Sequence, residues 1–360
     1  MSFTDTKRSE IKKYLLRKID EDDSDLVTKT ADAFGTSATS IKRYLVSEAK
    51  SGHIKPDNSK ECGFSLNFEK KAFSYSLAES RISEDRIFFH DLSDIIPAND
   101  NGMQIWSYSL CEIINNAIEH SKGSDIRIIV ETCFLYSRIT ISDNGIGIFK
   151  NIINHLSQYG YQNPTYDDAI TELFKGKFTS SPTHHSGEGI FFTRHLLDRF
   201  SIVSDGCMLK IGYAGDPAVI RSHLIAYAMK ISKKGTLVNM QLENNTSKNI
   251  KSIMDQYATV EEGFIRTELP VLEACQGNEP VARSQARRIC MRLDSFKEAI
   301  LDFDNVTFMG QGFADEIFRV FHNSHPEVII TPVNMSADVK KMYLYTINNK
   351  VTPVYTSAKS

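Results

Sequence analysis

Hydrophobic positions near the start of the chain recur at the spacing of a helix. In KRSEIKKYLLRKI, the residues Ile11, Leu15, Leu16 and Ile19 form one apolar stripe, which predicts an amphipathic helix. DLVTKTADAFG predicts a second helix that ends on its glycine, and TSATSIKRYLVSEAKSG predicts a third that starts at serine and threonine capping residues. Residues 7–50 are therefore expected to form three short helices.

The order helix, helix, short turn, helix is that of a helix-turn-helix motif, and ECGFSLNFEKKAFSYSL is expected to follow it as a wing hairpin. Lys42, Arg43 and Lys50 lie on the third helix, where basic side chains would contact DNA phosphates. Residues 1–60 hold 12 Lys and Arg and 10 Asp and Glu, a difference of +2. This balance leaves two interpretations open, a DNA-binding head and a plain three-helix accessory bundle.

The middle of the chain, residues 71–250, alternates between helix and strand patterns. Residues 103–121 predict one long helix, and DIRIIVETCFLYSRITISDNG predicts a pair of strands. GEGIFFTRHLLDRF predicts a helix that begins directly on glycines, while CMLKIGYA and GTLVNMQLE predict further strands. Residues 150–186 are polar and weakly periodic, and a stretch of that length inside a compact domain is expected to be a functional lid.

The last hundred residues, 260–360, follow a different order. EAILDFDNVTFMG predicts a strand, GFADEIFRVFHNS a helix, PEVIITPVN a strand and SADVKKMYLYTI a helix. This βαβα order indicates a small α/β module.

Composition narrows the class of protein. A chain of 360 residues with 41% hydrophobic and 24% charged residues is typical of a globular protein of two or three domains. The net charge of −3 does not indicate a chain that binds polyanions over its whole surface. The six scattered cysteines form no CxxC pair, the N-terminus is polar, and no apolar run approaches the ~18 residues of a membrane span. These features predict a cytoplasmic protein without a zinc site, a disulfide framework or a membrane segment.

Two polar residues on the long predicted helix suggest a metal-binding or catalytic site. Glu112 and Asn116 in CEIINNAIEHS are four residues apart and share one helical face. The amide oxygen of Asn116 suits Mg²⁺, and a carboxylate one turn away would orient or deprotonate a water molecule. Two solvated polar residues on a surface helix would give the same pattern, so the pair needs support from elsewhere.

A second group of residues follows the strand that ends in SDNGIGIF. Asp143 is an acceptor at a strand end, which suits the exocyclic amino group of a base. Gly145 and Gly147 lack the Cβ atoms that would keep a flat base away from the backbone. Thr236, in KKGTLV, lies on a late strand from which its hydroxyl would support the same base.

A third group lies in HHSGEGIF. Ser186, Gly187 and Gly189 stand at the start of a predicted helix. Free backbone N–H groups and the positive end of the helix dipole make such a start a cradle for phosphate. His184 and His185 precede it, without an evident carboxylate partner for a metal site.

These motifs, in this order, resemble the GHKL ATPase family of gyrase, heat-shock chaperones, MutL and histidine kinases. The resemblance covers residues 75–245 and implies a Bergerat α/β sandwich, a mixed sheet with helices on one face. It implies that ATP and Mg²⁺ are the ligands, that Asp143 binds the adenine amino group, that Asn116 holds Mg²⁺ and that residues 150–186 cover the phosphates. Gyrase-like members use the glutamate as a general base, so Glu112 implies slow ATP hydrolysis or a nucleotide switch.

The tail resembles the STAS-like domains of unknown function that accompany such ATP-binding domains, through FIRTELPV, GQGFADEIFRVF and HPEVIITPVN over residues 262–345. In anti-sigma-antagonist relatives, a serine in the turn before the helix is phosphorylated. Here the turn is FMGQGF, without a hydroxyl, and the nearest one, Thr307, is expected to be a packing residue of the strand. The tail is therefore expected to be a docking or dimerisation module. Arg283, Arg287 and Arg288 are expected to form a solvated stripe, and Phe313, Ala314, Ile317 and Phe318 to pack in the core.

The sequence thus predicts an α+β multidomain chain. Its parts are a winged helix-turn-helix head (1–70), a GHKL ATP-binding domain (71–250), a linker (251–261) and a STAS-like α/β tail (262–360). The expected function is a nucleotide-responsive regulator that binds ATP, Mg²⁺ and, through the head, DNA. Two alternatives remain: an ATPase acting with a partner protein, docked through the tail, in a stress or phage-defence assembly, and a serine kinase of the anti-sigma type. Homodimerisation also stays open.

Overall fold

The computed structural model describes residues 4–78, 82–178, 187–211, 234–275 and 277–348, except for the side chains of Lys210 and Ile211. Within these ranges, no helix is both long and apolar enough to cross a bilayer.

The head contains the three predicted helices, and local caps fix their ends. Thr4 accepts the Lys7 N–H at the start of α1, Ser37 accepts the Ser40 N–H at the start of α3, and Gly35 ends α2 in the left-handed conformation, at φ = 60°. The predicted apolar stripe of α1 is buried in the head core together with Ile41 and Leu45 of α3. The elements are α1 (Asp5–Asp20), α2 (Leu26–Phe34), α3 (Ala38–Lys50) and the antiparallel strands β1 (Ile54–Pro56) and β2 (Phe64–Leu66).

Only the first half of the predicted wing belongs to the head. The second half, β3 (Glu69–Ser76), pairs with β4 (Asp125–Thr132) in the large sheet of the middle region. Phe73 and Tyr75 stand opposite Ile128 and Ile126 of β4, and these cross-strand apolar pairs place β3 in that sheet. The wing prediction was therefore wrong for this strand.

The middle region is built on a six-stranded sheet in the order β3-β4-β5-β8-β6-β7. Every described pairing in it is antiparallel, whereas a mixed sheet was expected. The α+β fold class is confirmed. The remaining strands are β5 (Tyr136–Asp143), β6 (Arg199–Ser204), β7 (Cys207–Ile211) and β8 (Thr236–Glu243).

Helices cover the apolar face of this sheet. Ile126, Ile128 and Val130 are buried in the core, while the alternate positions of β4 face away from it. Trp106 and Leu110 of the long central helix are fully buried in the same core. The helices are α4 (Glu84–Ile87), which continues as a π-helical turn (Phe88–Leu92) and a 3-10 turn (Ser93–Ile95), α5 (Asp100–His120), α6 (Ile148–Leu156), which continues as a 3-10 turn (Ser157–Tyr159), α7 (Tyr166–Lys175), α8 (Gly189–Leu196) and α9 (Ile250–Met254).

Much of the predicted lid is regular structure. Most of α6 and all of α7 lie within residues 150–186, and Ile170 and Phe174 of α7 are buried in the main core. A capping box between Thr165 and Asp168 fixes the start of α7. Because the first turn of α7 and the loops of this stretch are polar, the composition of the stretch does not reveal the short apolar repeat of α7. Residues 179–186, the remainder of the predicted lid, lie outside the described residues.

The tail has the predicted βαβα order around a three-stranded parallel sheet, β11-β12-β13. Phe313, Ala314, Ile317 and Phe318 are buried in its core, as predicted. Its elements and the hairpin before it are β9 (Ala258–Thr259), β10 (Gly263–Phe264), β11 (Arg266–Pro270), α10 (Val271–Ala274), α11 (Arg283–Cys290), a 3-10 turn (Leu293–Ser295), β12 (Glu298–Asp302), α12 (Gln311–Asp315), which continues as a π-helical segment (Glu316–Phe321), α13 (His322–Ser324), β13 (Ile329–Val333) and α14 (Ala337–Asn348).

Two expectations for the tail were wrong. Thr307 lies in an exposed loop after β12, where its hydroxyl donates to Glu279 at 2.5 Å, because the strand ends at Asp302. Arg288 is not part of a solvated stripe, since it faces the first turn of α7. Arg283 and Arg287 are exposed but form ion pairs with Asp315 and Glu316.

The head is docked on the turn between β4 and β5. Cys133 and Leu135 of this turn and Tyr136, the first residue of β5, are buried in the head core. The Tyr136 hydroxyl donates to Asp20 at 2.8 Å, and Arg17 pairs with Glu243 of β8 at 2.5 Å. The predicted boundaries of the head, linker and tail stay predictions.

The tail is docked on α7 through a buried charge cluster. The Glu172 carboxylate is 0% exposed and accepts from the Tyr161 hydroxyl and from Lys175 Nζ, each at 2.6 Å, and from Arg292 of the tail. Lys175 is 1% exposed, and burial lowers the pKa of its ammonium group. Its Nζ also donates to the backbone carbonyls of Arg288 and Met291. A carboxylate of the middle region is thus compensated partly by a cation of the tail.

We expect Glu172→Gln to lower the free energy of unfolding of the full chain by about 3 kcal/mol or more, because it leaves the buried Lys175 and the partly buried Arg292 without their carboxylate. The matched control is Asp255→Asn, which removes an exposed pair with Lys251 and should cost less than about 0.5 kcal/mol. Urea unfolding of both variants measures the difference. Equal losses in the two variants would contradict the structural role of Glu172.

Candidate nucleotide site

One cavity of about 270 Å³ lies between α5, the end of β5, the start of α6 and the start of α8. Three sequence motifs, far apart in the chain, meet in its wall. The predicted site residues that line it are Glu112, Asn116, Asp143, Gly147, Gly187, Gly189 and Thr236.

The central helix α5 sets the direction of Glu112 and Asn116. Ile113 and Ala117 are buried and line the cavity, and Glu112 and Asn116, each the residue before one of them, line it too, because residues four apart share one helical face. The Glu112 carboxylate lies directly against Gly189, where an added Cβ would approach its Oε2 to 2.0 Å. Only glycine at position 189 lets this carboxylate sit beside the start of α8.

Asp143 ends β5 and is 8% exposed. Its Oδ1 accepts the Gly145 N–H at 2.8 Å. Burial raises the pKa of the Asp143 carboxyl, backbone N–H groups of Gly145 and Thr236 oppose the rise, and the nearby Asp205 carboxylate adds to it. A carboxylate held in this environment is a strong acceptor for a ligand amino group at the cavity wall.

The structure gives each of the two glycines after Asp143 its own reason for lacking a side chain. Gly145 does not line the cavity. An added Cβ there would lie 2.0 Å from the Ser121 carbonyl oxygen, which accepts the Ile146 N–H at 2.8 Å. Gly145 therefore lets the turn pack on the end of α5, and its expected role beside a bound base stays a prediction. Gly147 does line the cavity, but its φ of +89° and the closeness of the Asp205 carboxylate (2.4 Å from an added Cβ) already require glycine.

Sequence reasoning missed the residues that fix the start of α6. The Asp205 carboxylate accepts the Lys150 N–H at 3.1 Å, and the hydroxyls of Ser204 and Thr236 accept the Ile148 N–H at 3.1 and 3.0 Å. Thr236 therefore lines the cavity and also caps a helix, which sequence reasoning did not predict. Ser204 and Asp205 precede a Gly in the turn between β6 and β7, and the sequence marks that turn only as a hairpin.

Gly187, two residues before the start of α8, is in close contact with the segment after α7. Gly187 has φ = +76°, and an added Cβ would lie 2.4 Å from the Phe178 carbonyl oxygen. α8 begins at Gly189, so the positive end of its dipole lies at the cavity wall. Ser186, His184 and His185 lie outside the described residues.

Six further polar or aromatic residues line the cavity and were not predicted. His120 is the last residue of α5, and Ser121 is its C-cap. Their position after Asn116 in the same sequence motif is the feature from which they could have been predicted. Lys42, Arg43 and Lys50 do not line the cavity, because they lie on α3 of the head. The six residues are Asn115, His120, Ser121, Asn151, Phe178 and Glu188.

Comparison with known proteins agrees with this geometry. Residues 108–204 match the family model of histidine kinase-, DNA gyrase B- and HSP90-like ATPases, a span that contains Glu112, Asn116 and Asp143. Residues 285–340 match the model of a STAS-like domain of unknown function. No curated protein matches the chain. The chain therefore carries an ATP-binding domain of the GHKL family of histidine kinases, gyrase B and HSP90, followed by a STAS-like domain.

Proposed function

We propose that the chain is a regulator that binds ATP with Mg²⁺ and whose nucleotide state controls DNA binding by the head. The observation that carries the proposal is the meeting of Glu112, Asn116, Asp143 and the glycines before α8 in one cavity. Each supplies a different group that Mg²⁺-ATP requires.

The residues present fit this ligand. Asp143 would accept a hydrogen bond from the adenine amino group, and the N–H groups at the start of α8 would hold phosphate oxygens. The amide oxygen of Asn116 would hold Mg²⁺. When bound, the metal would supply positive charge to the phosphate oxygens.

The negative charge of the cavity wall supports a requirement for Mg²⁺ when a triphosphate binds. Glu112, Asp143 and Glu188 put three carboxylates around the cavity. Burial raises the pKa of the neighbouring Tyr108 hydroxyl, and the charges of Glu112 and Glu188 raise it further. A polyanionic triphosphate would be repelled by these carboxylates without a counter-ion.

Glu112 is placed to act on water. Its carboxylate lies beside the first residue of α8, where the terminal phosphate would be held. From there it would orient a water molecule and accept its proton during hydrolysis. We propose slow ATP hydrolysis, which would reset a nucleotide switch.

The charges of α3 favour DNA as the partner of the head. Several basic residues of α1 and α2 form ion pairs, as in the pairs Lys12–Glu48 and Lys29–Asp23. Lys42, Arg43 and Lys50 are exposed on α3, and no ion pair involves them in the described ranges of the chain. Uncompensated cations on one helical face are the electrostatic footprint of phosphate binding.

A second candidate is an ATPase that works on a partner protein. It is favoured by apolar side chains that are exposed on the tail, including Phe308, Ile329, Leu344 and Tyr345. A serine kinase of the anti-sigma type is the third candidate. Transfer of labelled phosphate from ATP to a protein would distinguish it from the other two.

Replacement of Asp143 separates ligand binding from folding. We expect Asp143→Asn to weaken ATP binding about tenfold or more, since a hydrogen bond to a charged acceptor contributes ~1.5–3 kcal/mol. The raised pKa of Asp143 means that its charge costs folding free energy above that pKa, a cost relieved as pH falls. The ligand-free variant should therefore melt at the same or a higher temperature at pH 7. Calorimetry and thermal melts measure both effects, and unchanged ATP affinity would rule out the adenine contact.

Glu112 and Asn116 should differ in their kinetic effects. Glu112→Ala should still bind Mg²⁺-ATP but hydrolyse it ~10²-fold or more slowly, because the base is lost. Asn116→Ala should weaken the Mg²⁺-dependent part of ATP binding. The matched control is Glu119→Ala, an exposed glutamate of the same helix, which should keep wild-type turnover. Turnover of Glu112→Ala equal to wild type would show that Glu112 is not the base.

The head should bind DNA through α3. Replacing Lys42 and Arg43 with Ala removes up to two phosphate contacts and should reduce the slope of log affinity against log salt by up to about 2. The matched control replaces Lys18 and Lys29, which have acidic partners, and makes the same change in net charge. Fluorescence anisotropy over a salt series measures the slopes. Absence of DNA binding at low salt would favour the partner-protein candidate.

A further inference from the structure

The segment Gly176–Phe178 connects α7 to the wall of the nucleotide cavity. Gly176 and Lys177 have φ of +74° and +56°, so the chain bends sharply here. Phe178 lines the cavity, and its backbone is in close contact with Gly187. The position of Phe178 therefore decides where the first glycine of the phosphate cradle can lie.

Arg292 of the tail contacts the aromatic ring that packs on Phe178. The Tyr159 ring packs on the Phe178 ring with centroids 5.5 Å apart, and the Arg292 guanidinium carbon lies 4.3 Å from the Tyr159 centroid. Arg292 also donates to the Lys177 carbonyl oxygen at 3.2 Å. One guanidinium thus contacts both the ring that supports Phe178 and the backbone that leads to it.

Contacts with α7 and with the tail hold this guanidinium and the segment in place. Arg292 pairs with the fully buried Glu172, which fixes its direction. On the other side, Lys177 Nζ donates to the Ser295 carbonyl oxygen at 2.8 Å and lies 4.5 Å from the Phe296 centroid. Movement of the tail loop would therefore move the residues beside the cavity.

We propose that Arg292 of the STAS-like tail is a positioning residue of the nucleotide site, acting through Tyr159 and Phe178 on the phosphate cradle. The proposal rests on the proposed function, because it names how binding at that same site is regulated. Docking of the tail raises affinity for the triphosphate. By linkage, bound triphosphate tightens tail docking to the same extent.

The test compares four variants of the full chain in calorimetry with a non-hydrolysable ATP analogue and Mg²⁺. Arg292→Lys keeps a cation for Glu172 but loses the planar stack, and Tyr159→Leu loses the ring, so each should bind about three- to tenfold more weakly. Tyr159→Phe keeps the ring and should bind within about twofold of wild type. The double variant Arg292→Lys/Tyr159→Leu should lose less binding free energy than the sum of the two single losses, because both changes remove the shared contact between Arg292 and Tyr159.

Adenosine provides the readout that a general loss of structure would not give. It occupies the Asp143 end without using the phosphate cradle, so all four variants should bind adenosine as wild type does. Arg319→Lys, in a tail ion pair with Asp315, is the matched control and should leave affinity for the analogue unchanged.

Three outcomes would overturn the proposal. Wild-type affinity for the analogue in Arg292→Lys and Tyr159→Leu would remove the positioning role and leave the proposed function intact. Equal weakening of adenosine and analogue would show a structural effect. A wild-type chain that binds no ATP analogue would overturn the proposed function and the positioning role together.

Discussion

A fully buried carboxylate, Glu172, is the constraint on which the arrangement of the chain depends. An ionised carboxylate without water needs cations and hydrogen-bond donors close by, or it destabilises the fold by several kcal/mol. Glu172 obtains one cation from its own helix, Lys175, and one from the tail, Arg292. Arg292 of the tail thus takes the place of water beside the Glu172 carboxylate. Removing the tail would either expose this carboxylate to water or leave it buried with one cation fewer.

The same logic joins the nucleotide cavity to both ends of the chain. Strand β5 begins at Tyr136, which is buried in the head core, and ends at Asp143 in the cavity wall. On the other side, the segment after α7 runs from the Glu172 cluster to Phe178. A ligand that contacts Asp143 and the cradle beside Gly187 would therefore touch elements fixed to the head and to the tail at once. That geometry gives a physical route by which nucleotide occupancy would bias the outer parts.

Local periodicity made part of this structure predictable. The stripe of α1, the shared face of Glu112 and Asn116, and the strand that ends at Asp143 follow from patterns within one element. The GHKL motifs then placed residues from distant segments in one cavity. The features that the sequence did not predict depend on partners far along the chain, such as Arg288 facing α7 or Asp205 capping α6. Gly145 shows the limit most clearly, because its neighbour is a carbonyl oxygen that no side-chain pattern reports.

The central claim is that Mg²⁺-ATP binds in the cavity between α5 and α8. A crystal structure of the full chain with a non-hydrolysable ATP analogue and Mg²⁺ tests it most directly. We expect the adenine amino group within hydrogen-bond distance of the Asp143 carboxylate, Mg²⁺ on the Asn116 amide oxygen and phosphate oxygens at the N–H groups that begin α8. An analogue bound elsewhere, or bound here with its phosphates at the Asp143 end, would rule out this binding mode.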